Sequence, residues 1–140
     1  MKVLRWLLAL AVAAYGLSNL LPIVSTTLYK LGFGMGGAGE RMIPVMQATA
    51  WWELVAGLAV VTLLSATAWR LARGRQAFGL AVLAFAADAA VWWITHAMAA
   101  YQLAVSEAEV AADDYSLIGM AAVLLAIWLV ERSRSGSAAA

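Results

Sequence analysis

The chain contains no cysteine. Disulfides, thiolate metal sites, cysteine-linked haem and a cysteine nucleophile are therefore excluded. His96 is the single histidine, so a bis-histidine haem is excluded as well. Charge is scarce: 12% of the 140 residues are Asp, Glu, Lys or Arg, where a soluble domain has roughly 25%. Nine basic and eight acidic side chains leave a net charge of +1, which is no nucleic-acid footprint. No long stretch alternates with period two, so a β-barrel is a poor fit. What is abundant is apolar: 65% of residues are hydrophobic and the mean hydropathy is +0.86. So small a chain has too much surface to hide that much apolar area within itself. Lipid is the expected solvent and membrane lipid the expected neighbour.

Four apolar segments follow one another. A bilayer core of about 30 Å needs about 20 helical residues, and an open chain in lipid satisfies its backbone only as helices. The expected fold is all-α, a four-helix transmembrane bundle with helices near 3–24, 43–71, 77–105 and 111–131. They form one domain over 1–132, followed by a flexible tail over 133–140. Met1–Ala14 also has the basic start and Ala-x-Ala triplets of a secretory signal. The apolar run continues to Val24, so it reads as the first helix. Lys2, Arg5, Arg70, Arg73, Arg75, Arg132 and Arg134 fall on one side of this topology. Lys30 and Arg41 fall on the other, with Glu40, Glu107, Glu109, Asp113 and Asp114. The positive-inside rule then places both termini in the cytoplasm.

The first outer loop is rich in glycine between Gly32 and Gly39. It lacks the Gly-Lys-Ser/Thr and the preceding strand of a phosphate-binding loop, so no nucleotide is expected. A flap over the outer end of the bundle is the better reading. Pro44 suits the first turn of the second helix. Small residues recur at helical spacing: Ala9, Ala13 and Gly16; Ala50, Ala56 and Gly57; Ala77, Ala81 and Ala84; Gly119, Ala122 and Ala126. Such stripes let helix backbones approach in lipid, and plain packing accounts for them. Trp51-Trp52 and Trp92-Trp93 are adjacent pairs. Neighbours on a helix point about 100° apart, so each pair can turn one ring inward and one toward lipid.

Ionisable groups inside a bilayer cost roughly 2.5–3.5 kcal/mol each and persist where they meet a partner or a cavity. With unbroken helices, Glu53 lies roughly 15 Å below the outer end of the second helix, and Asp88 near the middle of the third. Asp88, Trp92 and His96 step by four along one face. Asn19 enters from the first helix. The expected site is an outward-facing polar pocket built from Asn19, Glu53, Asp88, Trp92 and His96, with Asn19 beside His96 and Glu53 beside Asp88. The competing reading is that these groups only hold helices together. Zinc would need His96, Glu53 and Asp88 to converge, which the Asp88–His96 separation opposes. Met35, Met42, Met46 and Met98 lie with His96 at the outer side, and thioethers favour Cu(I). Met42, Met46 and His96 are thus metal candidates, although methionine is also ordinary filler.

Tyr15-Gly-Leu-Ser-Asn-Leu-Leu-Pro22, followed by an outer loop and then Trp52-Glu53-Leu-Val-Ala-Gly57, resembles the small four-helix membrane proteins of the DoxX-like kind. In that family an early helix ends in Gly-x-x-Lys/Asn-Leu, and the second carries a glutamate followed by glycine. The resemblance covers roughly half the chain. Asn19, Glu53 and Gly57 are the matching positions; the glycine-rich loop and the Asp88/His96 pair have no counterpart in it. It implies an inner-membrane subunit or accessory protein in redox or stress physiology. A composition rich in Ala, Val, Leu and Arg suits a bacterial source. The expected function is an accessory or structural subunit that binds a partner protein or a lipid-soluble ligand, within a membrane complex or a homo-oligomer. The alternative is a small enzyme or proton/metal-handling protein using Glu53, Asp88 and His96. No cofactor is named by these residues.

Overall fold

The computed structural model describes residues 2–34 and 39–137, without the side chains of 134–137. The middle of the glycine-rich loop, with Met35, and residues 138–140 lie outside the described residues. The described chain is helical, with no strand: α1 (Lys2–Lys30), a 3-10 turn (Glu40–Met42), α2 (Ile43–Ala48), α3 (Trp51–Ala72), α4 (Phe78–Ala97), α5 (Ala99–Ala104) and α6 (Glu107–Ser137). Four of these, α1, α3, α4 and α6, are long and apolar enough to cross a membrane. Each packs against the next around a ring, α1 on α3, α3 on α4, α4 on α6 and α6 on α1. The bundle has an arginine end, with Arg5, Arg70, Arg73 and Arg75, and an acidic end, with Glu40, Glu107, Glu109 and Asp113.

Helix ends are set by local chemistry. α1 passes Val24 and runs six residues farther than its apolar stretch, with Thr26 buried and the Thr27 hydroxyl donating to the Ile23 carbonyl at 2.7 Å. It stops at Gly32, whose φ of +84° closes the helix with Phe33 N–H on Leu28 O and Gly32 N–H on Tyr29 O. That pair of bonds is a Schellman cap, which a residue with a Cβ forms only under strain. Gly74 (φ +70°) ends α3 in the same way, with Arg75 N–H on Arg70 O and Gly74 N–H on Leu71 O. α6 begins at Glu107, earlier than its apolar run, because Ser106 and Glu109 form a capping box. The Ser106 N–H donates to Glu109 Oε2 at 2.8 Å, and the Glu109 N–H reaches back to Ser106 Oγ at 3.4 Å. It continues to Ser137, so the stretch from residue 133 expected as a flexible tail is helical as far as it is described.

Two of the expected helices are broken. The second is interrupted at Thr49–Ala50, where Thr49 turns out of the helix (ψ 124°) and its hydroxyl takes the Val45 carbonyl. The third is interrupted at Met98 (ψ 127°). Neither break holds a proline or glycine. The short pieces α2 and α5 pack against each other at the acidic end, with Val45 and Met46 of α2 buried. Tertiary packing overrode continuous helical propensity there.

The core is densest toward the arginine end, where Leu8, Val12, Leu64, Leu71, Ala81 and Ile127 are buried. Gly16 and Gly57 bring α1 onto α3: a Cβ on Gly57 would lie 2.8 Å from Ile23 Cδ1, and one on Gly16 would lie 3.3 Å from Leu64 Cβ. The stripe Ala77, Ala81, Ala84 and Asp88 is buried throughout. The α6 stripe is not: Gly119 and Ala122 are exposed, while Met120, Ile127 and Val130 face inward. α6 stands farther off its neighbours, and larger side chains bridge the gap. Large apolar side chains cover the outside, among them Leu7, Leu17, Val55, Leu83 and Leu125.

Candidate functional site

Asp88 lies in the bundle interior with 9% of its surface exposed. Its two oxygens are met separately: Tyr15 Oη donates to Oδ2 at 2.6 Å, and Asn19 Nδ2 donates to Oδ1 at 3.0 Å. Tyr15 and Asn19 are four residues apart on α1 and so share a face. The α1 and α4 backbones do not meet. A phenol and an amide reach across the middle of the bundle to one carboxylate. Both groups donate, so each carboxyl oxygen of Asp88 is met by its own hydrogen-bond donor.

This arrangement corrects two expected pairings. Asn19 partners Asp88, not His96, and Glu53 does not reach Asp88. Depth explains both. Because α1 continues to Lys30, Asn19 sits eleven residues, roughly 16 Å, below its acidic end. Asp88 is nine residues, roughly 14 Å, from the end of α4. Because the second helix breaks at Thr49–Ala50, Glu53 is no longer deep; it occupies the first turn of α3. Its carboxylate has no hydrogen bond or ion pair among the described residues. It lies where the positive end of the helix dipole favours an anion.

His96 belongs to a second network at the acidic end. Its ring stacks on Trp92 (centroids 4.0 Å, interplanar angle 28°) and tilts against Tyr101 at 4.6 Å. Nδ1 lies 2.9 Å from the Trp92 carbonyl, which only accepts, so this nitrogen carries the hydrogen. Nε2 lies 3.3 Å from Asp113 Oδ2, within ion-pair distance but off the line of a hydrogen bond. Tyr101 Oη donates to the same Asp113 oxygen at 2.6 Å. Burial first, and then the Asp113 hydrogen bond and charge, push the Tyr101 phenol upward and keep it a donor. Arg41 makes a two-pronged ion pair with Glu109 beside this cluster, tying the 3-10 turn to α6. Trp92 turns inward and its buried indole N–H has no partner among the described residues, whereas Trp93 is 72% exposed. Trp51 and Trp52 are both exposed, so the inward ring expected of that pair is not found.

The five expected residues therefore do not share one pocket. Asn19 and Asp88 come together, Trp92 and His96 come together, and Glu53 stands apart. Among the described residues no three His, Asp or Glu side chains are placed to hold a metal ion. Of the His96 nitrogens, Nδ1 is taken by the Trp92 carbonyl, and Nε2 lies 3.3 Å from Asp113 Oδ2. Tyr15, Tyr101, Asp113 and Ser116 were not singled out by spacing. Tyr15 has one readable signal, its position one turn before Asn19 on the same face.

Tyr15 also lines a cleft in the side of the bundle. It has a volume of about 260 Å³ and opens laterally between α1 and α6, with Ala11, Tyr15, Phe85, Ser116, Gly119 and Met120 among its walls. The Tyr15 and Phe85 rings are 6.1 Å apart. The cleft exists because α6 is held off α1. Asp88 lies behind the Tyr15 hydroxyl, on the bundle side.

No protein-family model, no curated protein and no solved structure matches the chain.

Proposed function

We propose that the chain is a four-span integral membrane protein with both termini in the cytoplasm, acting as an accessory subunit that holds a lipid-soluble ligand. Four long apolar helices with exposed Leu, Val and Trp side chains support the membrane setting. The arginine end gives the orientation, by the positive-inside rule. A bacterial inner membrane, a DoxX-like affiliation through Asn19, Glu53 and Gly57, and assembly with a partner protein or a second copy belong to the same reading.

The observation that carries the ligand role is the cleft beside Tyr15. A slot lined mostly by apolar side chains, open sideways and edged by two hydroxyls, is built for a molecule arriving from lipid. The Tyr15–Asp88–Asn19 network supports it from behind, fixing the phenol in one orientation. The enzyme or proton-handling alternative needs Glu53, Asp88 and His96 in one place, and they occupy three. Native mass spectrometry from lipid nanodiscs tests the reading. A retained small molecule or partner subunit that is lost on filling the cleft with Gly119→Trp is the expected result. A bare monomer that carries only bulk lipid, the same with and without Gly119→Trp, overturns it.

A further inference from the structure

We infer that the cleft between α1 and α6 selects a hydrogen-bond donor, a membrane-soluble phenol, over compounds that only accept. The inference rests on the ligand-holding reading above and adds the ligand's chemistry.

Both cleft hydroxyls have already given their protons to hydrogen bonds. A tyrosine or serine hydroxyl has one proton to give and lone pairs to accept with. The Tyr15 proton is committed to Asp88 Oδ2 at 2.6 Å. The Ser116 proton is committed to the Asp113 carbonyl at 2.6 Å, one turn back along α6. Both residues line the cleft, and what each has left is oxygen lone pairs. The polar edge of the cleft therefore accepts and does not donate. By donating to Asp88, which stands directly behind it, the Tyr15 oxygen becomes a stronger acceptor. It attracts the positive end of an O–H dipole and repels a carbonyl or ether oxygen. In surroundings of low dielectric such complementarity is stronger than in water.

Shape points to a ring. A cavity of roughly 150 Å³ holds benzene, so about 260 Å³ accommodates one substituted aromatic ring. Phe85 offers an aromatic wall, against which a ring packs offset or edge-on. At the rim, a Cβ added to Gly119 would meet nothing within 4 Å, so an alkyl substituent has a way out to lipid. A phenol satisfies both requirements: its ring fills the slot and its O–H meets the Tyr15 or Ser116 oxygen.

The test uses the full chain in nanodiscs, carrying 13C-methyl methionine, with the Met120 signal assigned by Met120→Leu. Met120 is buried in the cleft wall, so its methyl shift reports occupancy and not activity. Three probes of one size are titrated: 4-hexylphenol, its methyl ether 4-hexylanisole, and 4-hexylacetophenone. The phenol is expected to shift Met120 saturably, with a Kd about tenfold below the other two, as one hydrogen bond in the cleft would give. Tyr15→Phe is expected to bring that ratio toward one. Ser116→Ala, which keeps both donors to Asp88, lowers it as well if Tyr15→Phe fails to fold. Equal binding of phenol and ether, or tighter binding of the ketone, overturns the donor inference while leaving a ligand-holding cleft. No shift with any probe overturns both.

Discussion

The Tyr15 hydroxyl and the Asp88 carboxylate are joined by a 2.6 Å hydrogen bond between two helices whose backbones do not touch. That contact, with the Asn19 amide on the second oxygen, joins α1 to α4 by polar groups in the interior of the bundle. It holds Tyr15 at the back of a lateral cleft. Tyr15→Phe leaves Asp88 Oδ2 buried without its donor, and a buried acceptor left unsatisfied costs about 1–3 kcal/mol. Denaturation in mixed micelles should show a loss of that size. Glu53→Gln should cost under about 1 kcal/mol, because only a helix-dipole interaction is given up. Equal losses for the two variants would contradict the separate placement of Glu53 and Asp88.

Gly57 and Ile23 should be energetically coupled. A Cβ on Gly57 falls 2.8 Å from Ile23 Cδ1, and overpacking of this kind costs about 1–3 kcal/mol. Ile23→Val removes that methyl. Gly57→Ala is therefore expected to be tolerated better in the Ile23→Val background than alone, since only the milder contact to Cγ1 at 3.2 Å then opposes the helix-propensity gain of alanine. A double-mutant cycle in the same micelles measures it, and additive effects would place α1 and α3 farther apart.

Ser106 governs where α6 starts. Its backbone and side chain both bond Glu109, which also holds Arg41. Ser106→Ala should lower stability by about 0.5–2 kcal/mol, the usual range for an N-cap. It should also speed amide exchange over residues 107–110, read by hydrogen–deuterium exchange. Unchanged protection there would mean that the first turn of α6 is held by Arg41 alone.

The absence of cysteine makes orientation directly measurable. Glu40→Cys and Glu107→Cys, at exposed positions of the acidic end, should react with an impermeant maleimide in intact cells. Gln76→Cys and Ser133→Cys, at the arginine end, should react only after lysis. The direction follows from the seven-to-two division of basic residues. Labelling of position 76 from outside would reverse the proposed topology.

Much of the architecture is readable along the chain. Four apolar stretches predict four long helices, and four are present. The alanines of the third stretch fall on a buried face with Asp88, because 3.6-residue periodicity is a local property. The Ser106–Glu109 capping box and the Gly32 and Gly74 stops are equally local, each a few side chains acting on their own backbone. What periodicity cannot supply is depth. Asn19 is level with Asp88 only because α1 runs to Lys30, and Glu53 is shallow only because the helix breaks at Thr49–Ala50.

Those decisions belong to the tertiary structure. No glycine or proline marks the breaks at Thr49–Ala50 and Met98; they occur where α2 and α5 find each other across the acidic end. Which acid pairs with which amide then follows from how far each helix extends. A hydrogen bond is made only between groups brought to within about 3 Å, and a shift of one helical turn moves a side chain by about 5.4 Å. The Tyr15 hydroxyl, the cleft and the standoff of α6 have the same origin. By itself the sequence determined four long apolar helical stretches, their polar ends and the buried alanine face of the third. Only packing decided the relative heights of those helices, and with them the residues that meet at Asp88.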